Sequence, residues 1–445
     1  MTTHSTEKAR PVAVLVNVHL AGVSQEENQS SVEELRRLVT TLGFEVITVI
    51  SQRREKPAPG TVIGEGKLQE LADWTGGTGE IRETEEGLPP AKSGRKADKV
   101  VFDCDLSPTQ LRNITTATSA EVLDRTGVIV EIFHRHAKTR EARAQVEIAR
   151  LRYLTPRIRV VGPTDRQGGG IGSKGVGETA HELDRRRIRD RIAELQRELV
   201  AIHGDQKVRR SRRQDQARVA LVGYTNAGKS SLMRALTGSG VLVEDKLFAT
   251  LDTTVRAMHP ETKPRVLISD TVGFIQKLPH DLVASFRSTL DEAKEASLLL
   301  LVVDASDVAF RRQMEVVREV LEEIGAGELP LTLVLNKIDQ VDELHRKLLR
   351  KEFPGSIQMS ALEANDVERL KQYIISHFQA DMVEADFVIP YEASNLVGEI
   401  RRQATVVSET HDEESLIVRV RATPRMMERL QESLERMMES VSEEE

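Results

Sequence analysis

The sequence predicts an α/β fold in several parts, on three observations. Short apolar runs alternate with helix-like stretches from Pro11 to Phe133. A second series opens where the apolar Val219–Val222 leads into Gly223-Tyr224-Thr225-Asn226-Ala227-Gly228-Lys229-Ser230 and then into the helix-like Ser231–Leu236. Between the two lies a basic stretch with the apolar spacing of long amphipathic helices.

From the N-terminus, strands are expected at Val12–Val18, Val46–Ile50 and Val100–Cys104, and helices at Val32–Thr41, Lys67–Trp74 and Pro108–Ile114. They make a small α/β layer domain over 1–134. Within it, residues 76–97 become rich in Gly, Glu, Pro and Lys, which predicts a surface insertion. Thr139–Leu154 reads as a helix with Ala142, Val146, Ala149 and Tyr153 along one face. Thr179–His203 reads as a second, with Ile188, Ile192, Leu195, Leu199 and Ile202 at steps of four and three. Thr179 with Glu182 makes a capping box, and Gly204 can end the helix. A long basic helical hairpin is therefore expected over 135–215. Its connection, the Gly-rich loop 167–177 amid Arg157, Arg159, Arg166 and Lys174, has too many glycines to hold one conformation. Such a segment is either a linker or a flexible finger that settles on folded RNA. Arg185-Arg186-Arg187 likewise reads either as a solvated helix face or as part of that contact.

The third part, 216–380, carries the chemistry. After a strand and before a helix, the glycines of Gly223–Ser230 let backbone amides turn inward around phosphates. Lys229 would reach the β- and γ-phosphates and Ser230 would ligate magnesium, with Ser231 following in the helix. Asp270-Thr271-Val272-Gly273 ends the apolar Val266–Ser269. That puts Asp270 where a carboxylate organises the metal through water, and Gly273 where an amide meets the γ-phosphate. Asn336-Lys337-Ile338-Asp339 closes the strand Leu331–Leu335, and Asp339 can accept two hydrogen bonds from guanine N1 and N2, which adenine does not supply. Ser360-Ala361-Leu362 follows Ser356–Met359 and offers a backbone amide to guanine O6. Each tetrapeptide alone could be a strand end or a turn. Four in this order describe a guanine-nucleotide pocket, with GTP/GDP and Mg2+ as its ligands.

A switch threonine is expected from Phe248-Ala249-Thr250-Leu251-Asp252-Thr253-Thr254-Val255-Arg256, with Thr254 favoured, Thr253 the alternative, and Phe248 and Thr250 near the nucleotide. The metal set is then Ser230, Thr254 and Asp270, and the catalytic set Lys229, Thr254 and Gly273. Many proteins with this motif order place a water-orienting glutamine after the glycine; this chain has Phe274. A phenyl ring cannot align a water, so hydrolysis by the isolated chain is expected to be slow. Asn226 either helps hold K+ beside the phosphates or caps the turn. This part is a P-loop GTPase domain, and after it Phe387–Tyr391, Asn395–Ala404, the hairpin Thr405–Thr410 with Leu416–Val420, and a helix from Pro424 make a small α+β C-terminal domain over 381–445 with an acidic tail.

Composition narrows the setting. The chain has 445 residues and one cysteine, Cys104, which excludes an internal disulfide and suits a reducing cytoplasm. Met1–Arg10 lacks a signal-peptide core, and the longest apolar run, Leu298–Val303, is far too short to span a bilayer. Net charge is −7, but Arg135–Arg218 holds 22 Lys or Arg against 11 Asp or Glu, a local +11 that leaves −18 elsewhere. A basic zone in an acidic chain is the pattern of a localised phosphate-backbone contact.

Beyond the nucleotide motifs, the chain carries Ile63-Gly64-Glu65-Gly66-Lys67, Leu106-Ser107-Pro108-Thr109-Gln110-Leu111-Arg112-Asn113, Asp124-Arg125-Thr126-Gly127, Gln145-Val146-Glu147 and Gly168–Thr179. With Gly223–Ser230 and Phe248–Asp252, these make it resemble the HflX family of ribosome-associated GTPases over nearly its whole length. The resemblance implies a partner in the large ribosomal subunit, its ribosomal RNA and ribosomal proteins, rather than DNA, and in many members the separation of stalled ribosomes under stress. It implies a monomer in the cytoplasm, with a peripheral membrane-associated fraction and no membrane insertion, and a glycine-rich finger near the peptidyl-transferase centre. Thr253 replaces the usual proline, Ser173, Lys174 and Val176 replace Thr, Arg and Pro, and Ser231 replaces a threonine. An assembly GTPase of the large subunit, or a nucleotide-regulated scaffold with negligible turnover, are the alternative readings.

Overall fold

The computed structural model describes residues 10–81, 96–157, 180–211, 217–238, 247–248, 254–262, 265–276, 287–380, 382–391, 395–412 and 415–442. The loop 167–177, most of the 76–97 insertion, Thr250 and Thr253 lie outside them. The chain divides into two compact units, Met1–Ile202 with Lys246–Ala249 and Lys277–Phe286, and His203–Asp245 with Thr250–Gln276 and Arg287–Glu445.

In the first unit, β1 (Val12–Leu20), α1 (Gln25–Thr41), β2 (Glu45–Arg54), α2 (Glu65–Thr75), β3 (Lys99–Phe102), α3 (Pro108–Thr118), β4 (Glu121–Asp124) and α4 (Arg125–His136) alternate along the chain. The four strands form a parallel sheet in the order β2-β1-β3-β4. Val14, Val16, Ile50, Leu68, Leu71, Val100, Phe102 and Ile114 make the core on one face. Two features differ from the expectation. Helix α1 begins seven residues early because Ser24 and Glu27 cap it reciprocally, which supports a polar first turn that carries no apolar period. Strand β4 and helix α4 were not foreseen, since four residues are too few to display alternation and only pairing with β3 defines them.

Helix α5 (Arg140–Leu154) pairs with α6 (Ala180–Ser211) through Ala144, Ile148 and Leu151 against Ile192, Leu195 and Leu199. The face of α6 is the expected one. The face of α5 is not: Ala142, Val146 and Ala149 are buried too, but Tyr153 on that face turns to Asp124, its hydroxyl donating to Oδ1 at 2.8 Å. Helix α5 is apolar on two sides, and Ala144 and Ile148 complete a second stripe. Asp124 also accepts from Gly127 N at 2.8 Å and from Arg157 Nη2 at 2.7 Å, so one buried carboxylate caps α4 and anchors the stem that precedes residue 158.

The second unit is built on β5 (Ala217–Gly223), α7 (Lys229–Thr237), β6 (Thr254–Ala257), β7 (Val266–Asp270), β8 (Leu298–Asp304), β9 (Leu331–Asn336) and β10 (Ile357–Gln358). The sheet runs β10-β9-β8-β5-β7-β6, parallel except for β6 against β7. Every parallel strand therefore ends at the same edge, where open α/β sheets bind ligands. The unit also holds β11 (Val383–Pro390), β12 (Thr405–His411) and β13 (Ser415–Ala422), an antiparallel sheet ordered β11-β13-β12. Its inner residues Phe387, Ile389, Val418 and Val420 pack with Leu396, Ile400 and Leu430 from the helices Asn395–Gln403 and Pro424–Ser442. Among the described residues, no helix is long and apolar enough to cross a membrane.

Candidate nucleotide-binding site

Buried strand β5 delivers the loop Gly223–Gly228 to the first turn of α7. Asn226 takes φ +62°, a conformation asparagine tolerates better than most residues, and Ala227 N closes the turn on Tyr224 O at 3.3 Å. The Asn226 side chain is exposed. Gly228 takes φ +94°, and a β-carbon there would fall 2.2 Å from Asn336 Nδ2.

Lys229 lies buried under the loop, its Nζ donating to Gly223 O at 3.0 Å and to Tyr224 O at 2.7 Å. Burial lowers its pKa to about 8, partly offset by the charge of Asp270. Phosphate oxygens would restore the charge. Nucleotide binding is therefore expected to be independent of this group below about pH 7, where the amine is already protonated, and to take up a proton above about pH 8. Affinity should then weaken by up to about tenfold per pH unit. Titration calorimetry in buffers of different ionisation enthalpy at pH 6.5 and 8.5 checks this; equal proton uptake at both values would contradict it.

The three residues expected at the metal converge. Ser230 Oγ donates to Asp270 Oδ2 at 2.8 Å, Asp270 is fully buried at the end of β7, and Thr254 at the start of β6 is its register partner. One hydroxyl hydrogen-bonded to a buried carboxylate, with a second hydroxyl opposite it in the ladder, fits a hard dication that prefers oxygen ligands. Thr271 Oγ1 donates to Leu221 O at 2.8 Å and ties the end of β7 to β5. Val272 is buried beside it. Gly273 lies against the loop so closely that a β-carbon would stand 2.8 Å from Thr225 Cγ2 and 3.1 Å from Lys229 Nζ. Phe274 is buried, its ring taken up by the interior. Phe248 belongs to the first unit, where its buried ring meets Phe133 edge to face at 4.5 Å.

On the base side, Asn336 is a connector. Its Nδ2 donates to Ala227 O at 2.8 Å and its Oδ1 accepts from Ala361 N at 3.0 Å, joining the phosphate loop, β9 and the loop after β10. Lys337, at φ +58°, pairs with Asp304 Oδ2 at 2.6 Å and leads into the 3-10 turn Ile338–Gln340, where Asp339 is exposed. Ser360 is buried and Leu362 exposed; Ser360 N donates to Asp366 Oδ2 at 2.8 Å and Leu362 N to Ser360 Oγ at 3.3 Å. Sequence reasoning missed Asp304 and Asp366. A carboxylate ending the apolar run Leu298–Val303 was the available signal for the first, and an aspartate opening a helix for the second.

Comparison with known proteins follows this arrangement. Family models described as GTP-binding GTPase N-terminal, GTP-binding GTPase Middle Region and 50S ribosome-binding GTPase match residues 29–134, 136–213 and 218–337. GTPase HflX of Gluconacetobacter diazotrophicus is 53% identical over 96% of this chain and 99% of its own length. The chain belongs to the HflX family of GTPases. GTPase HflX of Escherichia coli is 38% identical, over 91% of this chain and 92% of its own. A solved GTP-binding protein from Sulfolobus solfataricus in complex with GDP is 24% identical with a TM-score of 0.42, covering 82% of this chain and 99% of that one, a likeness too slight to bear on the fold. As an HflX-family protein with a P-loop GTPase domain, the chain binds guanine nucleotide and hydrolyses GTP.

Proposed function

We propose that this HflX-family GTPase binds the large ribosomal subunit and uses GTP binding and hydrolysis to separate stalled ribosomes in the cytoplasm under stress. The observation that carries the reading is the match of residues 218–337 to a model described as 50S ribosome-binding GTPase. The basic hairpin supports it. Arg185, Arg186, Arg187 and Arg189 are exposed on α6 in a chain of net charge −7, and two neighbouring arginines are partly neutralised in helix pairs, Arg187 with Asp184 and Arg191 with Glu194.

In this reading the amides of Gly223–Lys229 hold the phosphates, Asp339 selects guanine, and a backbone amide of Ser360–Leu362 exchanges its present hydrogen bond for one to O6. Ser230 and Thr254 would hold Mg2+ directly and Asp270 through water; the ion would neutralise charge on the β- and γ-oxygens. Lys229 and the Gly273 amide stabilise the transferred phosphoryl group. With Phe274 buried, no side chain at that position orients the attacking water, so the ribosome completes the site, with K+ beside the exposed Asn226 carboxamide as a second stabiliser. GTP orders Thr254 and Gly273, the ordered state docks, and hydrolysis releases it.

The test is turnover against ribosomal fractions. Slow hydrolysis alone, stimulation by large subunits and a faster rate in potassium than in sodium are expected. Deleting residues 168–177 should leave guanine-nucleotide affinity nearly intact while removing stimulation. Sedimentation of intact ribosomes with GTP then reads splitting. Rapid hydrolysis without a partner, or full stimulation of the deletion variant, would overturn the reading.

A further inference from the structure

The phosphate loop and the segment after β7 are fastened together three times. Phe274 N donates to Gly223 O at 3.1 Å and Thr225 N donates to Phe274 O at 2.8 Å, the two bonds of a parallel bridge between Tyr224 and Phe274. The third fastening uses a side chain. Gln276 N donates to Tyr224 Oη at 2.6 Å. Tyr224, Phe274 and Ile275 are buried and Gln276 is half-buried, so this bond is partly shielded from competing water. The bridge and the phenol together bracket the segment, one bond set at Phe274 and the other two residues on. The consequence falls on Gly273, whose absent β-carbon would stand 3.1 Å from Lys229 Nζ. Gly273, whose amide is expected to meet the γ-phosphate, thus lies beside the ammonium expected to meet the same group.

We propose that the Tyr224 hydroxyl is a positioning group for γ-phosphate recognition. By holding Gln276 N it keeps the span from Gly273 to Gln276 near the loop, so less of that span remains to be ordered when GTP binds. Preorganisation favours only the ligand that touches the ordered group. GDP has no γ-phosphate and gains little from it.

Tyr224→Phe tests this, because it keeps the buried ring and removes only the oxygen. With fluorescent GDP and a non-hydrolysable GTP analogue, the dissociation constant for the analogue should rise about three- to tenfold, the range expected for loss of one hydrogen bond. That for GDP should stay within about twofold, and single-turnover hydrolysis should slow by a factor similar to the analogue's. Thermal melting of the variant confirms that it folds. Equal weakening of GDP and analogue would reduce the hydroxyl to a support of the loop and overturn the proposal, as would an unchanged affinity for the analogue.

Discussion

Replacing Asp339 by asparagine is expected to transfer the pocket's preference from guanine to xanthine nucleotides. The Asp339 side chain is exposed at the rim of the sheet's binding edge, while its neighbour Lys337 is turned inward to Asp304. A carboxylate is an acceptor only, and it suits two donors, guanine N1–H and N2–H. An asparagine presents one acceptor and one donor, which matches N1–H and the 2-oxo group of xanthine. One charge-assisted hydrogen bond is lost and the other becomes a neutral one, about 3 kcal/mol together, so affinity for GDP should fall about a hundredfold. Competition between GDP and its xanthine counterpart reads the switch directly; an unchanged preference would remove Asp339 from base recognition.

The second large effect is expected from a single methyl group. Gly228→Ala puts a β-carbon at a φ of +94° and 2.2 Å from Asn336 Nδ2. The backbone strain costs about 1–3 kcal/mol. Asn336 must also move, and with it go the bonds to Ala227 O and Ala361 N that join the phosphate loop to the loop after β10. Losing buried hydrogen bonds costs about 1–3 kcal/mol more. Guanine-nucleotide affinity should drop by about two orders of magnitude and the melting temperature should fall. Gly66→Ala, where a β-carbon meets nothing within 4 Å, is the control and should melt and bind as the parent does. Wild-type affinity in Gly228→Ala would show that the Asn336 bridge is dispensable.

What the sequence by itself determined is what local chemistry encodes. Gly223–Ser230, Asp270–Gly273, Asn336–Asp339 and Ser360–Leu362 each need only a few consecutive residues at a strand end, so each could be read from spacing, and Phe274 could be read from the residue after Gly273. The seam of α6 was legible for the same reason, because a helical period repeats within a turn. The tertiary structure decided what depends on partners far along the chain. The strand order β10-β9-β8-β5-β7-β6 brings residues from Gly223 to Leu362 to one edge, and no local pattern specifies that order. Antiparallel register sets Thr254 opposite Asp270, a pairing that exists only in the assembled sheet. Lys337 with Asp304, Ser360 with Asp366 and Tyr224 with Gln276 are pairings of single side chains that leave no periodic trace. Helix α5 shows the limit most plainly: it has two apolar faces, and sequence can display both but cannot say which one meets α6, because that depends on what the rest of the fold presses against the other.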